Sequence, residues 1–233
     1  MNIQLVTFDL DDTLWDVTQV MDHAEATLRH WLGLNAPRLG PAPLTHLRLF
    51  RDRLLASDPL LKYRLSELRL RLLEAALLDA GYAPVQASQL ARDGFQVFLA
   101  ARHEVQLFDG ALTTLETLAQ RYQLGVITNG NADVRRIGIG AHFSFTLCAE
   151  ELGVGKPEAL PFTTALSRAG VLATQAVHIG DHPVDDIAGA KTAGWRAIWI
   201  NRAALPWADG PAPDGQVQQL SELPDLLDRL QRP

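Results

Sequence analysis

Five short apolar, β-rich runs constrain this chain more than any other feature: "IQLVTF" (3–8), "LGVIT" (124–128), "SFTLCA" (144–149), "AVHIG" (176–180) and "AIWI" (197–200). Each reads as a strand buried on both faces. Helical stretches over 111–121, 158–169 and 185–193 lie between the later runs, and strand and helix alternating in this way build a parallel α/β sheet. The first run stands apart. Over a hundred residues separate it from the second, with no comparable β run among them. Helical periodicity fills that interval, including Leu61, Leu65, Leu68 and Leu72, with Gly81 as a stop. The expected architecture is α/β: a Rossmann-like parallel-sheet core of residues 1–14 and 107–233, with an inserted α-helical domain at 15–106. A Pro/Gly loop, "LPWADGPAPDG" (205–215), precedes a last amphipathic helix at 219–231.

At 233 residues and 47% hydrophobic content the chain can bury a core without staples. The single cysteine, Cys148, excludes an internal disulfide. Neither a charged-then-apolar leader nor a run of about 18 apolar residues is present, so the expectation is a soluble, cytoplasmic protein with no membrane partner. A formal net charge of −6 argues against a nucleic-acid surface. It leaves room for local basic pockets that take a phosphorylated small molecule.

In open α/β sheets, ligands bind beyond the carboxyl ends of the strands. The first end supplies Asp9 and Asp11, two apart and so aimed to one side in extended chain. A solvated acidic turn is the ordinary reading of such a pair. An EF-hand loop is excluded, because counting from Asp9 puts Leu14 where glycine is needed and Val20 where the bidentate glutamate is needed. The second end presents Thr128 and Asn129, able to donate to phosphoryl oxygens, with Gly130 allowing close backbone approach. Lys156 lies in a Gly-rich connection, and Asp181 ends the fourth run, followed by Asp185 and Asp186 at a helix start. Taken singly these are a turn, a surface lysine and acids favoured by a helix dipole. Their order at successive strand ends is specific.

That order, "DLDDT", "TN", Lys156 and "GDHPVDD", resembles the haloacid dehalogenase-like hydrolase superfamily. "FDLDDTLWD", "ITNGN" and "GDxxxxDIAGAxxAG" are similar to its phosphoglycolate-phosphatase-like and flavin mononucleotide phosphatase-like branch, where a helical cap domain follows the first motif. The resemblance implies a Mg²⁺-dependent phosphatase that hydrolyses small phosphate monoesters through an aspartyl-phosphate on Asp9. It implies Asp11 as proton donor and later base, Lys156 as the positive charge beside Asp9, and Thr128, Asn129 and Lys156 as phosphate ligands. The metal would be held by Asp9, a backbone carbonyl at Asp11, Asp181 and a second acid. Asp185 and Asp186 both fit the family spacing, and Asp186 is favoured because it directly precedes "IAGAKTAG". Asp12 stands where many members have glycine and is given no chemistry. Thr13 either braces the catalytic loop through its hydroxyl or simply packs.

Several alternatives stay open. A 2-haloacid dehalogenase of the same superfamily attacks carbon and needs no metal, but such enzymes typically lack the counterparts of Asp11 and Asp181. A phosphomutase shares all these groups. A receiver-like, phosphate-accepting module is the non-enzyme alternative, disfavoured by the large insertion. The implied partner is a small phosphorylated metabolite, with no protein partner. Lys62, Arg64, Arg69 and Arg71 are expected on one helix within 58–71, and arginines so placed ordinarily form a solvated face. Trp15 reads either as hinge packing or as a platform for a flat substrate. Sugar phosphate, phosphoglycolate, nucleotide and flavin phosphate remain equal candidates.

Overall fold

The computed structural model describes residues 2–40, 47–208 and 210–231. Residues 41–46 of the expected helical insertion, and Asp209 of the Pro/Gly loop, lie outside them. Among the described residues one sheet forms from β1 (Leu5–Phe8), β2 (Gln123–Thr128), β3 (Phe145–Cys148), β4 (Ala176–Gly180), β5 (Arg196–Ile200) and β6 (Gly215–Val217), in the order β3-β2-β1-β4-β5-β6. Every pairing is parallel. β1 and β4 are buried at every position, which is why both read as continuous apolar runs. Two residues inside them break the rule. Thr7 and His178 are polar, fully buried and register partners across β1 and β4.

The strand order reverses between β1 and β4, so the crevice beyond their carboxyl ends is the topological switch point where such sheets bind ligands. Helices Ala111–Ala119 and Ala159–Ala169 lie in the connections. The core beside them includes Leu5, Ile127, Leu147, Phe162 and Trp195. β6 falls at the end of the expected Pro/Gly loop. At three residues it gives no periodic signal, and it is a strand because Ile198 to Ile200 offer it an edge. The helix expected at 185–193 is a π-helical turn, Pro183–Ala188, followed by Gly189–Thr192.

The chain divides into two compact units, one of Met1–Asp16 with Gln106–Pro233 and one of Val17–Val105. In the second, helix Val17–Asn35 buries Val20, Ala24, Leu28 and Leu32, one stripe at i, i+4 spacing. Ala24, Leu28 and Leu32 of that stripe share a core with Leu73, Leu77, Phe95 and Phe98 of helices Leu65–Asp79 and Pro84–Arg102. Each fully buried leucine contributes about 1.5–3 kcal/mol. Gly81, at φ +82°, ends the helix before it.

The single helix expected across 58–71 is interrupted. Pro59 starts a 3₁₀ turn, Pro59–Tyr63, whose Leu60 N–H donates to the Asp58 carboxylate, and the α-helix begins only at Leu65. Lys62 and Arg64 are therefore off it. The cations of this stretch are satisfied within the unit: Arg64 pairs with Asp58 and Glu67, Arg71 with Glu67, and Arg69 with Glu25 at 2.6 Å while stacking 3.7 Å from the Phe98 ring centroid. No helix among the described residues is long and apolar enough to cross a membrane.

Candidate active site

The loop after β1 prolongs the sheet by one residue, since the Asp9 N–H donates to the Ile179 carbonyl of β4 at 2.8 Å. A tight turn follows, with the Leu14 N–H donating to the Leu10 carbonyl at 2.8 Å. Asp12 turns the chain at φ +58°. That left-handed conformation suits glycine, and among other residues favours Asp and Asn. It gives a backbone reason for the departure noted at this position. The Thr13 hydroxyl is buried and donates to Asp181 Oδ1 at 3.3 Å, so it braces one acidic strand end against the other. Trp15 is fully buried rather than a platform, and its indole N–H donates to Asp11 Oδ1 at 2.8 Å.

From β2, the Thr128 hydroxyl accepts from the Gly130 N–H at 3.0 Å and keeps its own proton to donate. Asn129 does something the sequence did not suggest. Its Oδ1 accepts from the Lys156 N–H at 2.8 Å, while its Nδ2 donates to the Lys156 carbonyl at 2.9 Å and to Asp185 Oδ2 at 3.2 Å. Both amide hydrogens are committed, so the side chain clamps the Lys156 backbone instead of being free to donate to a phosphate. Gly155 is required there, because a Cβ would overlap the Asn129 amide.

Lys156 is 4% exposed, with Nζ 2.8 Å from Asp9 Oδ1 and 2.5 Å from Asp186 Oδ1. Asp186, fully buried on the π-helical turn, also takes His178 Nε2 at 2.9 Å on Oδ1 and the His182 N–H at 2.9 Å on Oδ2. Asp185 points to Asn129. The two acids that the sequence left as rivals thus divide the work: Asp186 holds the lysine side chain and Asp185 the clamp on its backbone. A Cβ on Gly180 would overlap the Asp186 carboxyl, which fixes glycine at the end of β4. His178 Nδ1 bonds to the Thr7 hydroxyl at 2.8 Å, completing a buried chain from Thr7 to Asp9. Trp199 of β5 donates to the Asp181 carbonyl at 2.7 Å.

Burial pushes the Asp9 carboxyl up to about 7 even though the Lys156 charge opposes it. Burial, with the charges of Asp186 and Asp12, pushes Asp181 up to about 6. For Asp186 burial acts upward too, but the Lys156 charge and the His178 hydrogen bond outweigh it and hold the carboxyl well below the usual range. Burial acts to lower Lys156, and the carboxylates of Asp186 and Asp9 reverse this and raise it. Burial lowers His178, so its ring is neutral, with Nε2–H donating to Asp186 and Nδ1 accepting from Thr7. Such opposed shifts in one cleft mark a functional site.

Asp9, Asp11, Thr128, Asn129, Lys156, Asp181 and Asp186 line one cavity of ≈ 180 Å³. It falls short of the roughly 300–1,000 Å³ that encloses a whole drug-sized ligand, and suits a reacting group with an ion. One oxygen from each of Asp9, Asp181 and Asp186 lies within 4.8 Å of the others. Three carboxylates against one ammonium leave the cluster negative, and an all-oxygen anionic donor set fits a hard divalent cation. Asp186 already accepts three hydrogen bonds, so Asp9 and Asp181 have more lone pairs to give.

A family model described as haloacid dehalogenase-like hydrolase matches residues 3–194. The 5-amino-6-(5-phospho-D-ribitylamino)uracil phosphatase of Escherichia coli (strain K12) is 29% identical over 229 residues, covering 97% of this chain and 96% of its own. The crystal structure of 2-haloacid dehalogenase from Pseudomonas syringae pv. Tomato DC3000 is 56% identical with a TM-score of 0.95, covering 98% of this chain and 99% of that one. The protein YfnB from Bacillus subtilis, solved bound to magnesium, is 25% identical with a TM-score of 0.68, covering 98% of this chain and 100% of that one.

Two predictions test this geometry. In chelator-treated protein, Asp9 and Asp181 hold protons more tightly than the unfolded chain does, whose carboxyls titrate near 3.8. The stability they contribute is therefore full below that value and lost as pH rises through about 6 and 7. Tm should fall between pH 5 and pH 8, and Asp9→Asn should flatten the fall; ~1 kcal/mol moves Tm by about 2–4 °C in a chain of this size. An equal fall in both proteins contradicts the assignment. Gly180→Ala should cost about 1–3 kcal/mol in urea unfolding by displacing Asp186, and unchanged stability would show that the carboxyl is not packed there.

Proposed function

Because the chain belongs to the haloacid dehalogenase-like hydrolases, matched from residue 3 to 194, we propose that it hydrolyses small phosphate monoesters with Mg²⁺. One observation carries the reading: oxygens of Asp9, Asp181 and Asp186 lie within 4.8 Å of one another, two of these carboxylates pair with the buried Lys156 ammonium, and Asp11 lines the same cavity. Phosphate monoesters are dianionic, and their leaving groups depart as alkoxides. They need positive charge at the phosphoryl group and a proton for the leaving oxygen, and this site has room for both.

In the first step the Asp9 carboxylate attacks phosphorus as the bond to the leaving oxygen breaks, and Asp11 gives that oxygen its proton. In the second, Asp11 takes a proton from water, the water oxygen attacks phosphorus, and the bond to Asp9 breaks to release inorganic phosphate. Lys156 offsets charge on Asp9 and the phosphoryl oxygens throughout, and the Thr128 hydroxyl donates to them. Asp9 and Asp181 would chiefly hold Mg²⁺, which would supply the remaining positive charge that lets a carboxylate approach a dianion. Magnesium bound in the Bacillus subtilis structure and the phosphatase activity named for the Escherichia coli relative support this reading.

A second reading has its own support. The Pseudomonas syringae 2-haloacid dehalogenase is 56% identical, against 29% for the Escherichia coli phosphatase. Hydrolysis of a 2-haloacid would have Asp9 attack carbon and expel halide. Water would then cleave the Asp9 ester, with a carboxylate as base, to release the 2-hydroxy acid; halide leaves without a proton and no phosphoryl charge needs offsetting, so that chemistry gives Asp11 no acid step and asks for no cation.

The discriminating experiment assays inorganic phosphate from a panel of small monoesters and chloride from 2-chloropropionate, each with Mg²⁺ and with chelator. Phosphate release that chelation abolishes, without chloride release, is expected. Chloride release that survives chelation, with no phosphate from any ester, would replace the first reading by the second. Asp9→Asn should lower the rate on the order of 10³-fold or more, and Lys156→Ala by roughly 10²–10³-fold.

A further inference from the structure

Two polar side chains sit where the sheet itself needs none. Thr7 and His178 are register partners across β1 and β4, the two central strands, and both are fully out of water. A buried polar group has to find hydrogen-bond partners, whereas an apolar residue of similar volume would need none. Departures of this kind from an apolar pattern are expected beside a functional site. What this pair supplies is direction. An ionised carboxylate only accepts, so the ring proton of His178 sits on Nε2, which lies 2.9 Å from Asp186 Oδ1. Nδ1 then accepts from the Thr7 hydroxyl at 2.8 Å, and the Phe162 ring packs edge-on against the imidazole with centroids 5.5 Å apart. With both nitrogens engaged, the ring has one tautomer and one orientation.

We propose that His178 is a positioning residue: its Nε2–H, oriented by Thr7, holds Asp186 Oδ1 at the point from which that oxygen aims Lys156 at Asp9. Oδ1 receives both the imidazole N–H and Lys156 Nζ, and Nζ also reaches Asp9 Oδ1 at 2.8 Å. The His182 N–H holds only the other oxygen, Oδ2. Without the imidazole, Lys156 would be the one donor left on Oδ1 among the described residues, and the carboxylate could turn about its last torsion with the ammonium following it. The Asn129 clamp does not prevent this. It fixes the Lys156 backbone, and a flexible four-carbon stem separates that backbone from Nζ. His178 touches no reacting atom and acts only through Asp186 and Lys156. The inference rests on the proposed function in taking Asp9 as the reacting carboxylate, and adds to it what fixes the charge beside Asp9.

The test compares His178→Leu, which deletes the donor at similar volume, with His178→Gln, whose amide can place an N–H near the position of Nε2. Each is made alone and with Lys156→Ala. The rate is phosphate release from p-nitrophenyl phosphate with Mg²⁺, expressed per folded protein by circular dichroism. Removing a group that orients a carboxylate of a metal site typically costs about 10–100-fold, so His178→Leu should lower kcat roughly tenfold or more and His178→Gln less than about threefold. In the Lys156→Ala background, His178→Leu should change the rate by less than about twofold, because the group it aims is gone. A purely structural histidine would give the same loss with or without the lysine. Equal losses in the leucine and glutamine variants, no loss in either, or a full loss that persists without Lys156 would overturn the proposal. If wild-type protein releases no phosphate from any monoester, the phosphoryl-transfer reading falls. The same comparison is then read on chloride release from 2-chloropropionate, where Asp9 also reacts, and release of neither product overturns both. Should His178→Leu fail to fold, long-range ¹H–¹⁵N spectra of the imidazole decide. A ring protonated on Nε2 whose signal shifts in Lys156→Ala supports the proposal, and one protonated on Nδ1, or indifferent to Lys156, contradicts it.

Discussion

The arrangement rests on one buried cation. Lys156 lies almost wholly out of water between Asp9 and Asp186, and neither the ammonium nor either carboxylate would be tolerated there alone. The three groups license one another. Asp186 is the partner that stays ionised, satisfied from Lys156, His178 and the His182 backbone, so its charge is spent on holding the lysine. Asp9 makes one lysine contact and is left with a raised affinity for protons. A group that costs energy to ionise in an empty site is the one that gains most when positive charge arrives beside it.

The parallel sheet makes this assembly possible. Each participant follows a different strand, and the reversal of strand order between β1 and β4 leaves the crevice into which all of them reach. Supporting residues fix the participants from several directions: Asn129 grips the Lys156 backbone, Thr13 ties the first acidic loop to Asp181, and Thr7 sets the His178 ring across the register of β1 and β4. Gly155 and Gly180 are the positions where two of these contacts leave no volume for a side chain.

The parts that were legible in the sequence are those with a period or a fixed order. Five strand runs, the interval without one and the acids at strand ends all announce themselves by spacing. What stayed hidden depends on partners far along the chain. Asn129 looked like a ligand because nothing local shows that its amide meets Lys156 27 residues on. His178 passed as part of an apolar run, although a polar residue three positions before Asp181, matched by Thr7 two before Asp9, was a usable signal. Trp15 gave no hint of its hydrogen bond, and the 58–71 stretch carried helical periodicity through a break that Pro59 and Asp58 impose.

The central claim is that Asp9 becomes covalently phosphorylated. The most direct measurement quenches a single turnover in acid and maps the peptide containing Asp9 by mass spectrometry. The account predicts a phosphoryl group on the Asp9 carboxylate after exposure to a phosphate monoester with Mg²⁺. Turnover that leaves Asp9 unmodified, or an Asp9 ester formed only from 2-chloropropionate, would contradict it.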